Sequence, residues 1–235
     1  MEKAKSEERI GSNFYHQKKI EINCVIFCFE NRTLKILLTK NEESFENVNW
    51  KLPNAVLAEG TMLNTAQTIL KNYFSSEDFF LDQLKAFSSD SLSNSEDISI
   101  GYYAMVKQEK ITEDDEELSS DMIWIDVNHV ITHLNEKDRR IIDFSIKELR
   151  KNILCSAIGF NLLPEKFTLL QVFHLYEGIL GVEINKGNFR RKILQRGLVS
   201  SLNEKEEKVS YRAAQFYSLS VPKDSVWNLK FNFSF

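Results

Sequence analysis

The stretch NLLPEKFTLLQVFHLYEGILGVEINKGNFRRKIL, residues 161–194, decides the fold of the C-terminal part of the chain. It contains two short runs with apolar residues at helical spacing, and Gly181 between them tolerates the positive φ of a tight turn. Thr168 and Gln171 have the spacing of a capping box, so the first helix is expected to begin at Thr168. Its apolar face comprises Leu169, Val172, Phe173, Tyr176 and Ile179 or Leu180. Two short helices joined so closely predict a helix-turn-helix.

The second of these helices is expected to begin at Asn185 or Gly187 and to end at Gly197. On a helical wheel at about 100° per residue, one side is apolar and the opposite side carries basic and amide groups. The apolar side, which is predicted to pack inward, consists of Phe189, Ile193 and Leu194. The outer side and its flanks consist of Lys186, Asn188, Arg190, Arg191, Lys192, Gln195 and Arg196.

The outer side of this helix has the chemistry that DNA recognition uses. Arginine binds guanine edges, asparagine and glutamine bind adenine edges, and flanking cations neutralise phosphates. A solvated basic helix is the alternative interpretation. The five basic residues without an acid between Lys186 and Arg196, inside a helix-turn-helix, favour DNA. We expect Asn188, Arg191 and Gln195 to contact bases and the remaining cations to contact phosphates.

Two strands around the charged turn NEKEEK, residues 203–208, predict a wing after the second helix. Lys205, Lys208 and Arg212 are placed to meet backbone phosphates, whereas the three glutamates of the turn oppose a close approach. Between residues 185 and 215 there are eight basic and three acidic residues, although the whole chain has a net charge of −4. Such an uneven distribution suggests that one surface of the protein meets a polyanion.

The preceding part of the chain reads as a second unit of mixed strands and helices. IEINCVIFCFE and TLKILLTK, residues 20–30 and 33–40, predict a hairpin, and three further strands are predicted at 80–88, 98–107 and 122–127. Helices are predicted within residues 64–74 and 135–154, and a short strand in WNLKFNFSF at 227–235. We expect a flexible N-terminus at 1–18, one domain at 19–150 and a DNA-binding domain at 151–235.

Composition and cysteine usage bound the class of protein. With 235 residues, 43% of them hydrophobic, and 17 phenylalanines, the chain has enough apolar material for a core. Cys24 and Cys28 lie in an apolar run without a second ligand pair, which favours reduced thiols over a metal site. The first residues lack the apolar core of a signal peptide, and no apolar stretch is long enough to span a membrane. These features predict a cytoplasmic protein.

The stretch WKLPNAVLAEGTMLNTAQTILKNYF, residues 50–74, followed by LDQLKAF at 81–87, resembles the motif region of Nudix hydrolases. That family places several glutamates on one face of a helix, where they hold a divalent metal that neutralises the pyrophosphate during hydrolysis. Here no Asp or Glu occurs from Thr61 to Ser76, and Glu59 is the only acid nearby. A single carboxylate holds such a metal poorly. We therefore expect no catalytic residues, no metal and no cofactor, although a fold can outlast its chemistry.

The C-terminal residues carry a more specific resemblance. AIGFNLLPEKFTLLQVFHLYEGILGVEINKGNFRRKIL at 157–194, with YRAAQFYSL at 211–219, closely resembles the corresponding domain of Nudix-related transcriptional regulators. The resemblance implies an α+β chain, with a Nudix-like α/β/α sandwich around a mixed sheet followed by a winged helix-turn-helix. It further implies a homodimer on an operator, tuned by a sugar or an ADP-ribose-like effector. Loss of the catalytic glutamates is common in that family. Residues expected to line the effector cleft are Trp50, Asn54, Glu59 and Tyr103.

Three functions are consistent with these observations. The first is a ligand-responsive transcription regulator, without enzyme activity, that binds double-stranded DNA. The second is a pyrophosphatase for ADP-ribose or another nucleoside diphosphate sugar with a basic accessory domain, against which the missing glutamates argue. The third is a ligand-binding or protein-interaction module whose helix-turn-helix no longer binds DNA.

Overall fold

The structure, a computed structural model, describes residues 19–41, 50–76, 78–88, 98–107, 121–129, 134–206 and 213–220. Three predicted features lie outside these residues: the N-terminal segment, the tip of the wing with Lys208 and Arg212, and the terminal strand at 227–235. We call residues 19–155 the head and residues 156–220 the tail.

A mixed sheet forms the centre of the head. Its strands, within the described residues, are β1 (Ile20–Glu30), β2 (Thr33–Lys40), β3 (Trp50–Lys51), β4 (Asn54–Val56), β5 (Phe80–Ser88), β6 (Ile98–Met105) and β7 (Met122–Asp126). β1 lies in the middle, antiparallel to β2 and β4 and parallel to β6, and β5 pairs with the far side of β6. The run 22–28 of β1 is buried throughout, because both faces of the sheet are covered.

The two head helices cover opposite faces of this sheet. α1 (Met62–Lys71) packs against Cys24 and its neighbours on one face, whereas α2 (Glu136–Cys155) packs on the side of Val25. Successive residues of a strand point to opposite faces, so this arrangement is an α/β/α sandwich. The predicted α+β class with a mixed sheet is confirmed. α2 is continuous across residue 150, so the boundary proposed there falls within a helix rather than in a linker.

The tail contains two helices and a small sheet. Its elements are β8 (Phe167–Thr168), α3 (Leu169–Leu180), α4 (Lys186–Gln195), β9 (Val199–Lys205) and β10 (Gln215–Leu219). The capping box predicted at Thr168 and Gln171 is present, and Gly181 ends α3 with a φ of 67°. β10 lies between β8 and β9 in an antiparallel sheet. This is the arrangement of a helix-turn-helix followed by a wing.

Helix α3 joins the tail to the head. Its outer surface lies on the β1–β2 hairpin, whose tip residues Asn31 and Arg32 both have positive φ. Gly178 of α3 comes so close to this hairpin that a Cβ there would be 2.6 Å from Cε2 of Phe29. Nε of Arg150, on α2, donates a 2.7 Å hydrogen bond to the carbonyl of Ile179 at the end of α3.

A single hydrophobic core extends through both units. It begins under the sheet at Val25, continues along α2 through Ile141 and Leu149, and reaches Tyr176 and Phe189 in the tail. The side of β1 that faces α1 has a separate apolar cluster around Leu70. The tail is therefore packed on the head as an integral part of the fold.

Candidate nucleic-acid interface and ligand cleft

Helix α4 begins and ends at residues suited to those positions. The side chain of Asn185 accepts a 2.9 Å hydrogen bond from the backbone N–H of Asn188, as an N-cap residue does. Arg196 follows the last turn, and Gly197 leaves the helix with a φ of 63°. Of the two predicted start positions, Asn185 is confirmed.

The inner face of α4 is aromatic and aliphatic. Phe189 and Ile193 are buried, and the ring of Phe189 makes edge contacts with Phe173 and Tyr176 at centroid distances of 5.6 and 5.2 Å. The prediction that Leu194 packs inward is wrong, since its side chain is 41% exposed. Phe189 and Ile193 are four residues apart and share a face, whereas Leu194 lies a further 100° around the helix.

The outer face of α4 presents the predicted cations and amides. Lys186, Arg190, Arg191, Gln195 and Arg196 are exposed, and Asn188 and Lys192 are partly exposed. Nη2 of Arg191 donates a 2.9 Å hydrogen bond to Oδ1 of Asn188, so two predicted base-reading side chains lie side by side. α4 contains no acidic residue. The helix therefore offers hydrogen-bond donors with a positive charge along its whole outer surface.

A groove of about 550 Å³ separates α4 from the wing strands. Lys186 and Arg190 line one side, and Lys205 and Gln215 line the other. The wing glutamate at 204 is already engaged, because Oε2 of Glu204 forms a 2.7 Å ion pair with Nζ of Lys166. Lys205 thus extends the positive surface of α4 onto the wing.

The residues predicted for the effector cleft are not all brought together. Asn54 lies on β4, opposite Asn23 of β1, and Glu59 is exposed in the loop before α1. Trp50 is half-buried against the main core, which supports a packing role.

Tyr103 lies elsewhere: it is only 1% exposed, and its hydroxyl accepts a hydrogen bond from Asn152 on α2. Asn152 is about 22 Å along α2 from Lys137, which shares the carboxylate of Glu21 with Asn54.

Asn54 belongs to a polar cluster that the sequence analysis missed. Its Nδ2 donates to Oε1 of Glu21 at 2.6 Å, while the other carboxylate oxygen of Glu21 accepts from Lys137, from Asn23 at 3.2 Å and from Ser99 at 3.3 Å. These residues come from β1, β4, β6 and the first turn of α2. A signal did exist in the sequence, because Glu21 and Asn23 alternate with apolar residues at the start of a strand whose next six residues, 24–29, are apolar.

Two buried oxygen atoms in this region lack a hydrogen-bond partner within the described residues. They are Oδ1 of Asn23 and Oδ1 of Asp138, the residue that follows Lys137. The other oxygen of Asp138 accepts 3.0 and 3.1 Å hydrogen bonds from the backbone N–H of Leu52 and from Asn135. Buried acceptors are normally satisfied, so a donor from a ligand or a water molecule suits this position.

The two carboxyl groups are held in different electrostatic states. Burial acts to raise the pKa of Glu21, but the hydrogen bond and charge of Lys137, together with Asn23 and Asn54, outweigh it and leave the pKa below its usual value. For Asp138 burial prevails over Lys137, Leu52 and Asn135, so its pKa is raised. The cluster therefore combines an anchored anion with a carboxyl group that takes up a proton more readily.

Comparison with known proteins decides the nature of the tail. Residues 159–219 match the family model described as the NrtR DNA-binding winged helix domain. The tail thus resembles an NrtR-type winged helix domain over these residues. It contains α3, α4 and both wing strands, so the basic face of α4 lies inside the matched segment.

The similarity to NrtR proteins extends over the head as well. The "ADPR responsive transcriptional repressor NtrR" of Acinetobacter baylyi is 20% identical over 212 residues, which are 88% of this chain and 84% of that protein. The crystal structure of Shewanella oneidensis NrtR complexed with a 27mer DNA is 21% identical, with a TM-score of 0.77, over 92% of this chain and 99% of that one. The resemblance to Nudix-related transcriptional regulators is thereby confirmed.

A second solved structure supports the same two-part fold. The MutT/nudix family protein from Enterococcus faecalis is 17% identical, with a TM-score of 0.66, over 88% of this chain and 90% of that one. At this identity the likeness shows the fold alone. The chain therefore has the fold of a Nudix-like domain followed by a winged helix.

Among the residues that the structure describes, no group of three or more His, Cys, Asp or Glu side chains is arranged to hold a metal ion. Cys24 and Cys28 are buried free thiols, and burial raises the pKa of each to about 12. No described helix is both long enough and apolar enough to cross a membrane.

Proposed function

We propose that this protein is a ligand-responsive, DNA-binding transcription regulator of the cytoplasm that acts as a homodimer. The observation that carries the proposal is the basic, amide-bearing outer face of α4 inside an NrtR-type winged helix. In each protomer α4 enters the major groove of one half-site, and Asn188, Arg191 and Gln195 read bases. Lys186, Arg190, Lys192 and Arg196 meet phosphates, as do Lys205, Lys208 and Arg212 of the wing.

The head supplies the response to a metabolite. The similar protein of Acinetobacter baylyi is described as responsive to ADPR, which supports ADP-ribose or a related nucleotide sugar as the effector. An effector changes DNA affinity only if it binds the DNA-competent and incompetent states differently.

Genomic footprinting with and without ADP-ribose tests this function. We expect protected inverted repeats, and we expect ADP-ribose to change their occupancy. Protection of no specific sites under either condition contradicts the assignment as a regulator. Protection that ignores ADP-ribose but responds to another sugar contradicts only the effector.

The effector cleft is placed at the polar cluster of Glu21, Asn23, Asn54 and Lys137. It lies beside the Nudix-like loop that leads to α1, and its unpartnered oxygen atoms suit the hydroxyl donors of a ribose. The exposed Glu59 is the additional candidate from the loop.

Glu21→Gln is expected to lower the affinity for ADP-ribose at least about tenfold, because the amide no longer anchors Lys137 and Asn54. Isothermal titration of the full chain measures this. Asp143→Asn, which alters an exposed carboxylate on the same helix as Lys137, is the matched control and should bind as the unsubstituted protein does. Equal affinities for both variants contradict the placement of the cleft.

The head is proposed to have no hydrolase activity. α1 holds no carboxylate, whereas the Nudix reaction needs several on this helix to bind its metal. With ADP-ribose and Mg²⁺, product should form at the rate of the protein-free buffer, and a chelator should change nothing. Chromatographic detection of AMP provides the measurement. A metal-dependent turnover that a chelator abolishes would instead establish the pyrophosphatase alternative.

A further inference from the structure

A cavity of about 560 Å³ lies where the head meets the tail. Phe29 at the end of β1, Phe74 after α1 and Phe79 before β5 form the head side, and Leu162 and Pro164 form the tail side. Ligand sites are typically cavities of about 300 to 1,000 Å³, lined by apolar and aromatic groups with a few polar ones. The size and the lining of this cavity are those of a site for a small molecule.

This cavity is distinct from the polar cluster in which the effector cleft is placed. Glu21 and Phe29 stand at opposite ends of β1, and eight residues of extended strand separate them by about 26 Å. A molecule the size of a nucleoside cannot occupy both places. The cavity is therefore separate from the proposed effector cleft.

The charged residues at the rim of the cavity indicate which kind of ligand it favours. Asp78 forms an ion pair with Lys107 at one side of the cavity. A neighbouring cavity of about 530 Å³ shares Asp78 and Pro164 and adds the exposed carboxylate of Glu165. Among the described residues, the rims of the two cavities carry the carboxylates of Asp78 and Glu165 and the ammonium group of Lys107. The resulting net negative charge disfavours anions, whereas phenyl rings favour flat and cationic groups.

We propose that this junction cavity binds a flat aromatic molecule that carries a neutral or cationic arm and no phosphate. The ring lies among Phe29, Phe74 and Phe79, and the arm points toward Asp78 and Glu165. Phe29 is also the residue against which Gly178 of α3 is seated. A molecule in the cavity therefore lies against Phe29, which also contacts α3 of the helix-turn-helix. Any effect of the molecule on DNA binding through this contact rests on the proposed function.

Calorimetric titration of the full chain with a matched pair of probes tests the site without DNA. We expect 1-naphthylmethylamine to bind with a Kd below about 1 mM. We expect 1-naphthoate, which has the same ring and the opposite charge, to bind at least about tenfold more weakly. Ser76→Phe, which places a ring in the cavity, should abolish binding of the amine. Ser75→Phe, at the exposed neighbouring position outside the lining, should leave it unchanged.

Failure of the amine to bind, or binding that Ser76→Phe does not affect, overturns the site. Equal affinity for amine and carboxylate overturns the assigned charge. Because these measurements contain no DNA, they stand whether or not the regulator function holds. Operator affinity measured with the amine present tests the link through Phe29 separately, and an unchanged affinity overturns that link.

Discussion

Replacing Arg191 with alanine is expected to weaken operator binding by about 10- to 100-fold, because a bidentate arginine–guanine contact contributes about 1 to 3 kcal/mol of discrimination. The substitution also removes the hydrogen bond that holds Asn188 beside it, so two groups proposed to read bases are disturbed together. Fluorescence anisotropy with the operator and with a scrambled duplex measures the loss, which should be larger on the operator.

Two other arginines serve as controls for this prediction. Arg190→Ala removes a proposed phosphate contact, so it should weaken binding of both duplexes to a similar degree and reduce the slope of log affinity against log salt by about one per protomer. Arg139→Ala, on α2 and paired with Glu136, should leave both affinities unchanged. Loss of operator binding in Arg139→Ala but not in Arg191→Ala would exclude α4 as the recognition helix.

Gly178→Ala is expected to destabilise the whole chain by about 1 to 3 kcal/mol, as overpacking of a close contact does. The new Cβ would lie 2.6 Å from the ring of Phe29 and 3.0 Å from the carbonyl oxygen of Arg32. The second neighbour is backbone, so it cannot rotate away as a side chain can. This cost exceeds the gain of up to about 1 kcal/mol that alanine brings to a helix. Urea denaturation monitored by circular dichroism provides the free energy of unfolding.

Gly187→Ala is the matched control for this substitution. It introduces the same methyl group into α4, where the nearest neighbour would be Oδ1 of Asn185 at an ordinary 3.6 Å. It should be neutral or slightly stabilising. Phe29→Leu combined with Gly178→Ala should recover part of the loss, since the double substitution removes one of the two clashes. An unchanged stability of Gly178→Ala would show that the tail is not seated on the hairpin as described.

The features predicted correctly from the sequence rest on short-range physical rules. The capping box of Thr168 and Gln171 needs only residues three apart, and the turn at Gly181 needs only a residue that tolerates positive φ. The β1–β2 hairpin follows from two apolar runs separated by Asn31 and Arg32. Such signals are complete within a few residues, so the elements could be located without the structure.

The polar cluster in the head could not be predicted in the same way. Glu21 and Lys137 are 116 residues apart, and their contact depends on which face of the sheet α2 covers. The sequence of β6 does not indicate which face of the sheet α2 covers, because the strand is buried on both faces along nearly its whole length. Tyr103 of this strand lies under α2, where its hydroxyl accepts a hydrogen bond from Asn152. The incorrect prediction that Leu194 packs inward has another cause. This residue lies at the edge of the apolar face of α4, where a side chain is buried only if another element of the fold covers it.

The core that runs from Val25 to Phe189 has a consequence for how such a protein can change over time. A gene rearrangement that transferred residues 159–219 to another sensor would carry only one side of the contact between Gly178 and Phe29. It would also leave Arg150 behind, and with it the hydrogen bond at the end of α3. A tail transferred in this way would therefore need compensating substitutions in its new sensor, on the surface that replaces the hairpin tip and Arg150.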